Sequence, residues 1–148
     1  ATPFTNLGDC LLGKAFDDRV GVFIIAEAFR RYSNPRLEVH AVGTAQEEVG
    51  LRGSTVAAQE VRPDIAIAVD VTGAGDIPDF PERLRIATLG DGVAVKLMDG
   101  SVISSPELVE FTRGLAEEAG IDHQMEILLR GGTDTSSMQK WGAGPHAI

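Results

Sequence analysis

Residues 64–70 read Asp64-Ile65-Ala66-Ile67-Ala68-Val69-Asp70, an unbroken apolar run closed at each end by a carboxylate. A run this short and this continuous predicts a strand buried on both faces beneath helices, as in parallel sheets. It delivers Asp70 to the strand's carboxyl end, where the loops of an α/β sheet gather functional side chains. Upstream, Pro63 ends a helix expected from about Gly53 to Val61. Before that lies the acidic turn Gln46-Glu47-Glu48-Val49-Gly50, led in by Leu37 to Val42, which alternate as a strand does. Val20, Phe23, Ile24, Ala28 and Phe29 share one face of a helix that Asp17 or Asp18 can cap and that Ser33-Asn34-Pro35 stops. Residues 1–13 read as an irregular lead-in. Downstream, residues 73–80 form a Gly/Pro-rich loop and Val93 to Met98 a strand, followed by a helix from Pro106 to Glu118 with Gly120 as its stop. Met125 to Leu129 is a further strand, Gly131-Gly132-Thr133-Asp134 a loop before a short helix, and Pro145 to Ile148 the start of a strand. Strands alternating with helices argue an α/β fold: a three-layer sandwich, helices on both faces of a mostly parallel central sheet.

The chain has 148 residues, which suits one domain with one core. Its 43% hydrophobic and 24% charged residues are ordinary globular composition. The formal net charge of −9 repels phosphate backbones and anionic lipid, so neither nucleic acid nor membrane is an expected partner. No apolar run approaches the roughly 18–20 residues that span a bilayer. The single cysteine, Cys10, allows no internal disulfide and suits a cytoplasmic location.

Four acidic groupings fall in loops or at strand ends: Asp17-Asp18, Glu47-Glu48, Asp70 and Asp134. Carboxylates brought together raise one another's pKa unless a cation or a proton intervenes, so convergence points to metal. Taken one at a time, each is also an ordinary helix cap or loop residue of an acidic protein. In an extended segment, adjacent side chains point in opposite directions. One glutamate of the 47–48 pair can then face a metal while its neighbour carries protons.

Four segments together resemble the TET-type (glutamyl) aminopeptidases, dinuclear metallopeptidases that trim N-terminal residues from peptides. They are Gly13-Lys14-Ala15-Phe16-Asp17-Asp18-Arg19-Val20-Gly21, Gln46-Glu47-Glu48-Val49-Gly50-Leu51-Arg52-Gly53, Arg62 to Val71, and Gly131-Gly132-Thr133-Asp134. The resemblance implies a zinc-exopeptidase-like fold and an aminopeptidase acting on peptide substrates through two divalent ions, Zn or Co. On this likeness Asp17 corresponds to the carboxylate bridging the metals, Glu48 and Asp70 to a terminal ligand of each, and Glu47 to the general base. Asp18 is then a neighbour rather than a ligand, and the turn at 131–134 lines the substrate cleft. The family also uses two histidine ligands, one upstream of an inserted β-domain and one just beyond the strand at Pro145–Ile148. His40, His123 and His146 do not fall at those places. Residues 1–148 therefore correspond to a partial catalytic domain lacking both histidines and the β-domain. It is expected to bind metal poorly, to be weakly active or inactive, and to lack the surface through which the family forms homo-oligomers.

Two other readings compete. A receiver-like signalling domain would also end an apolar strand on an aspartate, but it leaves Glu47-Glu48 without a role. A glycoside hydrolase of endoglucanase type needs two carboxyl groups flanking a sugar. With one Trp and one Tyr, the chain offers no row of aromatic platforms for one.

Overall fold

Val93–Met98 forms strand β4 and His123–Ile127 forms strand β5, and the two pair in parallel from Val93 opposite His123 to Met98 opposite Ile127, with an irregularity between Lys96 and Met98. Parallel neighbours need a crossover, which helix α3, Pro106–Ala119, supplies. Proline occupies its first turn, where a missing N–H costs nothing, and Gly120 closes it in the left-handed region at φ 64°. α3 packs on β4, and each contributes a buried valine, Val109 and Val95.

These elements belong to one of two compact units into which the chain divides, residues 44–68 with 72–148; the other is residues 1–43 with 69–71. The computed structural model describes residues 4–148. In the larger unit, strand β3, Ile65–Ala66, pairs in parallel with β6, His146–Ala147. Helix α2, Arg52–Val61, packs on the short helix α4, Asp134–Met138, through the buried hydroxyls of Ser54 and Ser137, 2.6 Å apart. The main apolar core is small: Ala58, Ala66, Ala87, Val95, Val102, Val109 and Ala147. The smaller unit holds an antiparallel pair, β1 (Thr5–Asn6) and β2 (Leu11–Leu12), and helix α1, Phe16–Arg31. Phe4 meets Phe16 edge to face with ring centroids 6.1 Å apart.

The α/β class and the parallel pairing are as the sequence leads one to expect, and so are α2, α3, α4, β4 and the strand at the C-terminal end. Four details differ. The lead-in is a small hairpin from Thr5 to Leu12; residues 1–3 lie outside the described residues. Residues 37–42 join no ladder, because alternation of side chains marks a face but supplies no pairing partner. β3 is short and one-sided: Ala66 is buried, whereas Ile65 and Ile67 are 55% and 64% exposed. Alanine allows close approach on the covered face, and the branched residues point the other way. Lastly, the apolar face of α1 is open, with Phe23 64% and Phe29 49% exposed.

A candidate active-site cavity

The turn that carries the paired glutamates is built by its own backbone. Gly50 and Leu51 donate N–H groups to the Glu47 carbonyl at 3.0 and 2.9 Å, and Gly53 donates to the Ala45 carbonyl at 2.8 Å. Gln46, Gly50 and Leu51 all adopt positive φ (60°, 122° and 55°). For Gln46 and Leu51 this is strained backbone of the kind concentrated at functional sites. A β-carbon on Gly53 would overlap the backbone of Ala45, so the return into α2 requires glycine there. The result corrects the extended reading of residues 47–48. The segment is a turn, and both glutamates line one open cavity of about 420 Å³ together with Gly50, Leu51, Ser101, Gly131 and Gly132.

The glycines at 131–132 bring bare backbone to the cavity wall. A β-carbon on Gly132 would sit 2.5 Å from Ser101 Oγ. Thr133 and Asp134, which follow, turn away into the structure. Asp134 Oδ2 accepts a 2.6 Å hydrogen bond from Thr44 Oγ1, which ties the front of the glutamate turn to the start of α4. The other oxygen, Asp134 Oδ1, is buried without a hydrogen-bond partner among the described residues.

Beneath Ser101 lies a charged cluster that neither periodicity nor motif spacing flagged. Glu126 and Asp99 are each 3% exposed. Lys96 and Glu126 are register partners across β4 and β5, and Lys96 Nζ reaches Glu126 Oε1 at 2.8 Å and Asp99 Oδ2 at 3.6 Å. Thr72 Oγ1 donates to the same Glu126 oxygen at 3.0 Å. Asp99 Oδ1 accepts from Ser101 N, Ser101 Oγ and Val102 N at 2.7, 2.8 and 3.0 Å. The sequence signal available was Asp99-Gly100-Ser101, a turn signature in which aspartate bonds the backbone two residues on.

In the smaller unit, Asp17 and Asp18 have non-helical backbone angles at the head of α1. Asp18 Oδ1 accepts the Gly21 N–H at 2.8 Å, the capping role expected of this pair. A β-carbon at Gly21 would collide with the Asp18 carboxylate in this position, so the bond as formed depends on glycine there. Asp70 Oδ1 accepts its neighbour's N–H, from Val71, at 2.7 Å. Asp17 and Asp70 thus belong to the smaller unit, and Glu47 and Glu48 to the larger. Among the described residues, no three His, Cys, Asp or Glu side chains are gathered as a metal cage. A divalent ion takes three or four protein donors. Within either unit the residues present therefore do not by themselves fit the two-ion centre that the resemblance implies.

His40 Nε2 pairs with Glu38 at 2.9 Å and His123 Nδ1 lies 3.1 Å from the Ile121 carbonyl. Both are local contacts.

Parallel strands crossed by a helix, with two adjacent glutamates and bare glycine backbone on the loops of one open cavity, define the class: an α/β domain with an acidic cleft. The chain belongs to the M42 glutamyl aminopeptidase family, whose profile matches residues 1–148. It is similar to a lysyl aminopeptidase of Pyrococcus furiosus, 33% identical over 141 residues, covering 94% of this chain and 39% of that protein. Among solved structures, the TET aminopeptidase of the marine sediment archaeon Thaumarchaeota archaeon SCGC AB-539-E09 matches with a TM-score of 0.89 and 36% identity, over 98% of this chain and 42% of that one. A TET peptidase of Pyrococcus horikoshii, described as assembling into a tetrahedron or a large octahedral shell, matches with a TM-score of 0.72 and 28% identity over 98% of this chain and 42% of its own. The chain thus spans about two fifths of the length of these relatives.

Proposed function

We propose that the protein to which these residues belong is a metal-dependent aminopeptidase that releases N-terminal residues from peptides. The observation that carries this reading is the cavity at residues 47–51, where two adjacent glutamates share a wall with the Gly131-Gly132 backbone in a chain of the M42 family. Glu47 is the proton carrier: it takes a proton from the water that attacks the scissile carbonyl and returns it to the leaving amine. By the family likeness Asp17, Glu48 and Asp70 each correspond to an oxygen ligand of metal, for which Zn or Co is the proposed ion. Residues 1–148 correspond to part of the catalytic domain. Location in the cytoplasm and assembly into homo-oligomers, as the P. horikoshii relative does, complete the proposal.

The test is turnover of aminoacyl anilides by the whole protein and by its Glu47→Gln variant. Loss of a positioned proton carrier costs about 10²–10⁴ in rate. The expected loss is therefore in kcat, with KM little changed. Wild-type turnover of cellulosic substrates in place of anilides would instead favour a glycosidase.

A further inference from the structure

Ser101 lines the same cavity as Glu47 and Glu48, and its hydroxyl is not free to choose its role. Asp99 carries no proton to give as a carboxylate, so the 2.8 Å contact between Ser101 Oγ and Asp99 Oδ1 has the serine as donor. Two backbone N–H groups on the same oxygen, from Ser101 and Val102, fix the carboxylate, and Lys96 holds its other oxygen at 3.6 Å. The Asp99 side chain is fully buried and cannot swing out to water. The proton of Ser101 therefore points inward, and its lone pairs are what the cavity receives. No hydrogen bond to Ser101 Oγ from any N–H or O–H is found among the described residues.

The absence of a side chain at Gly132 keeps that oxygen open, since a β-carbon there would come within 2.5 Å of it. Of the cavity's side-chain polar groups, Glu47 and Glu48 serve the proton and the metal in the reading above, and Ser101 Oγ is the acceptor offered to an N–H of the ligand.

We propose that Ser101 is a substrate-binding residue whose oxygen accepts a hydrogen bond from an N–H of the bound peptide, and that Asp99 is the positioning residue that holds it in that role. The proposal rests on the peptidase reading above. It adds a contact that discriminates substrates by the N–H groups they carry.

The experiment uses the whole protein and three probes. These are leucine p-nitroanilide, its p-nitrophenyl ester analogue in which oxygen replaces the amide N–H, and N,N-dimethyl-leucine p-nitroanilide, whose neutral amine carries no N–H. Losing one hydrogen bond of ordinary net strength is expected to raise KM for the parent anilide about five- to tenfold in Ser101→Ala. KM should change less than about twofold for whichever analogue already lacks the accepted N–H, because there is then no contact to lose. Ser101→Thr, which keeps the hydroxyl, restores the parent value. Asp99→Asn replaces a charge-assisted bond by a weaker neutral one and shifts KM in the same direction by less.

Equal effects of Ser101→Ala on all three probes, or no effect on any, would overturn the proposal while leaving the peptidase reading standing. Failure of the wild-type protein to cleave any peptide would overturn both. A merely structural role for Asp99 would lower kcat/KM for all three probes alike, which also counts against it.

Discussion

Asp18 and Gly21 show how a single pair of residues decides a local structure. The first turn of α1 departs from helical geometry at Asp17 and Asp18, so its N–H groups need an acceptor from the side. The Asp18 carboxylate supplies it to Gly21, where a β-carbon would collide with the carboxylate as it stands. Gly21→Ala should therefore displace the carboxylate and lose the cap, costing about 1–2 kcal/mol. Asp18→Ala should cost a similar amount. Urea titration followed by circular dichroism measures both, and the double variant should cost little more than either single one because the two residues share one interaction. Additive losses would mean that Gly21 acts through something other than the cap. This interaction was half legible: an aspartate ahead of an apolar helical face announces a cap. Which of Asp17 and Asp18 turns inward depends on backbone angles that no spacing rule supplies.

At the scale of elements, the β4–β5 pair and α1 use charge in opposite ways. In the strand pair, Lys96 is the only cation among the described residues in hydrogen-bond or ion-pair contact with Glu126 and Asp99, both nearly out of reach of water. Removing one partner of a buried ion pair leaves an uncompensated charge, so Lys96→Met should cost about 3–5 kcal/mol. Replacing Lys96 and Glu126 together by apolar residues should cost less than Lys96→Met alone, and equilibrium unfolding of both variants checks the ordering. On α1, Glu27, itself half-buried, bonds Arg30 at 2.8 Å and approaches Arg31 at 3.4 Å, both arginines being well exposed. Arg30, and more weakly Arg31, hold the Glu27 carboxyl below the usual carboxylate range. A carboxylate whose pKa is depressed by folding contributes stability above its unfolded pKa of about 4.5, and that contribution fades as pH falls through the lower folded value. The α1 signal should weaken in that acidic window, and less so in Glu27→Gln; added salt at neutral pH should reproduce part of the loss. The ion pairs on α1 could be read from i, i+3 and i, i+4 spacing. Lys96 with Glu126 could not, because their meeting depends on the register of strands separated by a whole helix.

Across the molecule, the order of elements was legible because hydrophobic period and turn residues are local properties. The distribution of burial was not, and α1 shows why. Val20, Phe23, Ile24, Ala28 and Phe29 lie on one face as their spacing requires, yet periodicity reports which side chains share a face and not what covers it. The site divides in the same way. Glu47 and Glu48 were legible as a pair, whereas Ser101 enters the cavity through contacts between segments about thirty residues apart or more in sequence. The uneven burial has a measurable consequence. Among the described residues, all seven buried apolar side chains belong to the larger unit, and Gly21 is the only buried residue of the smaller one. A unit of fewer than about 60 residues gains little from burial even when well packed, and local opening free energy follows buried apolar contact. Amides of α1 should therefore exchange with solvent deuterium at least about tenfold faster than those of β4 and β5, a gap of roughly 1.4 kcal/mol in opening free energy. Mass-spectrometric exchange on residues 1–148 reads this directly. Protection of α1 equal to that of the β4–β5 pair would show that the exposed apolar face of α1 is not a measure of its stability.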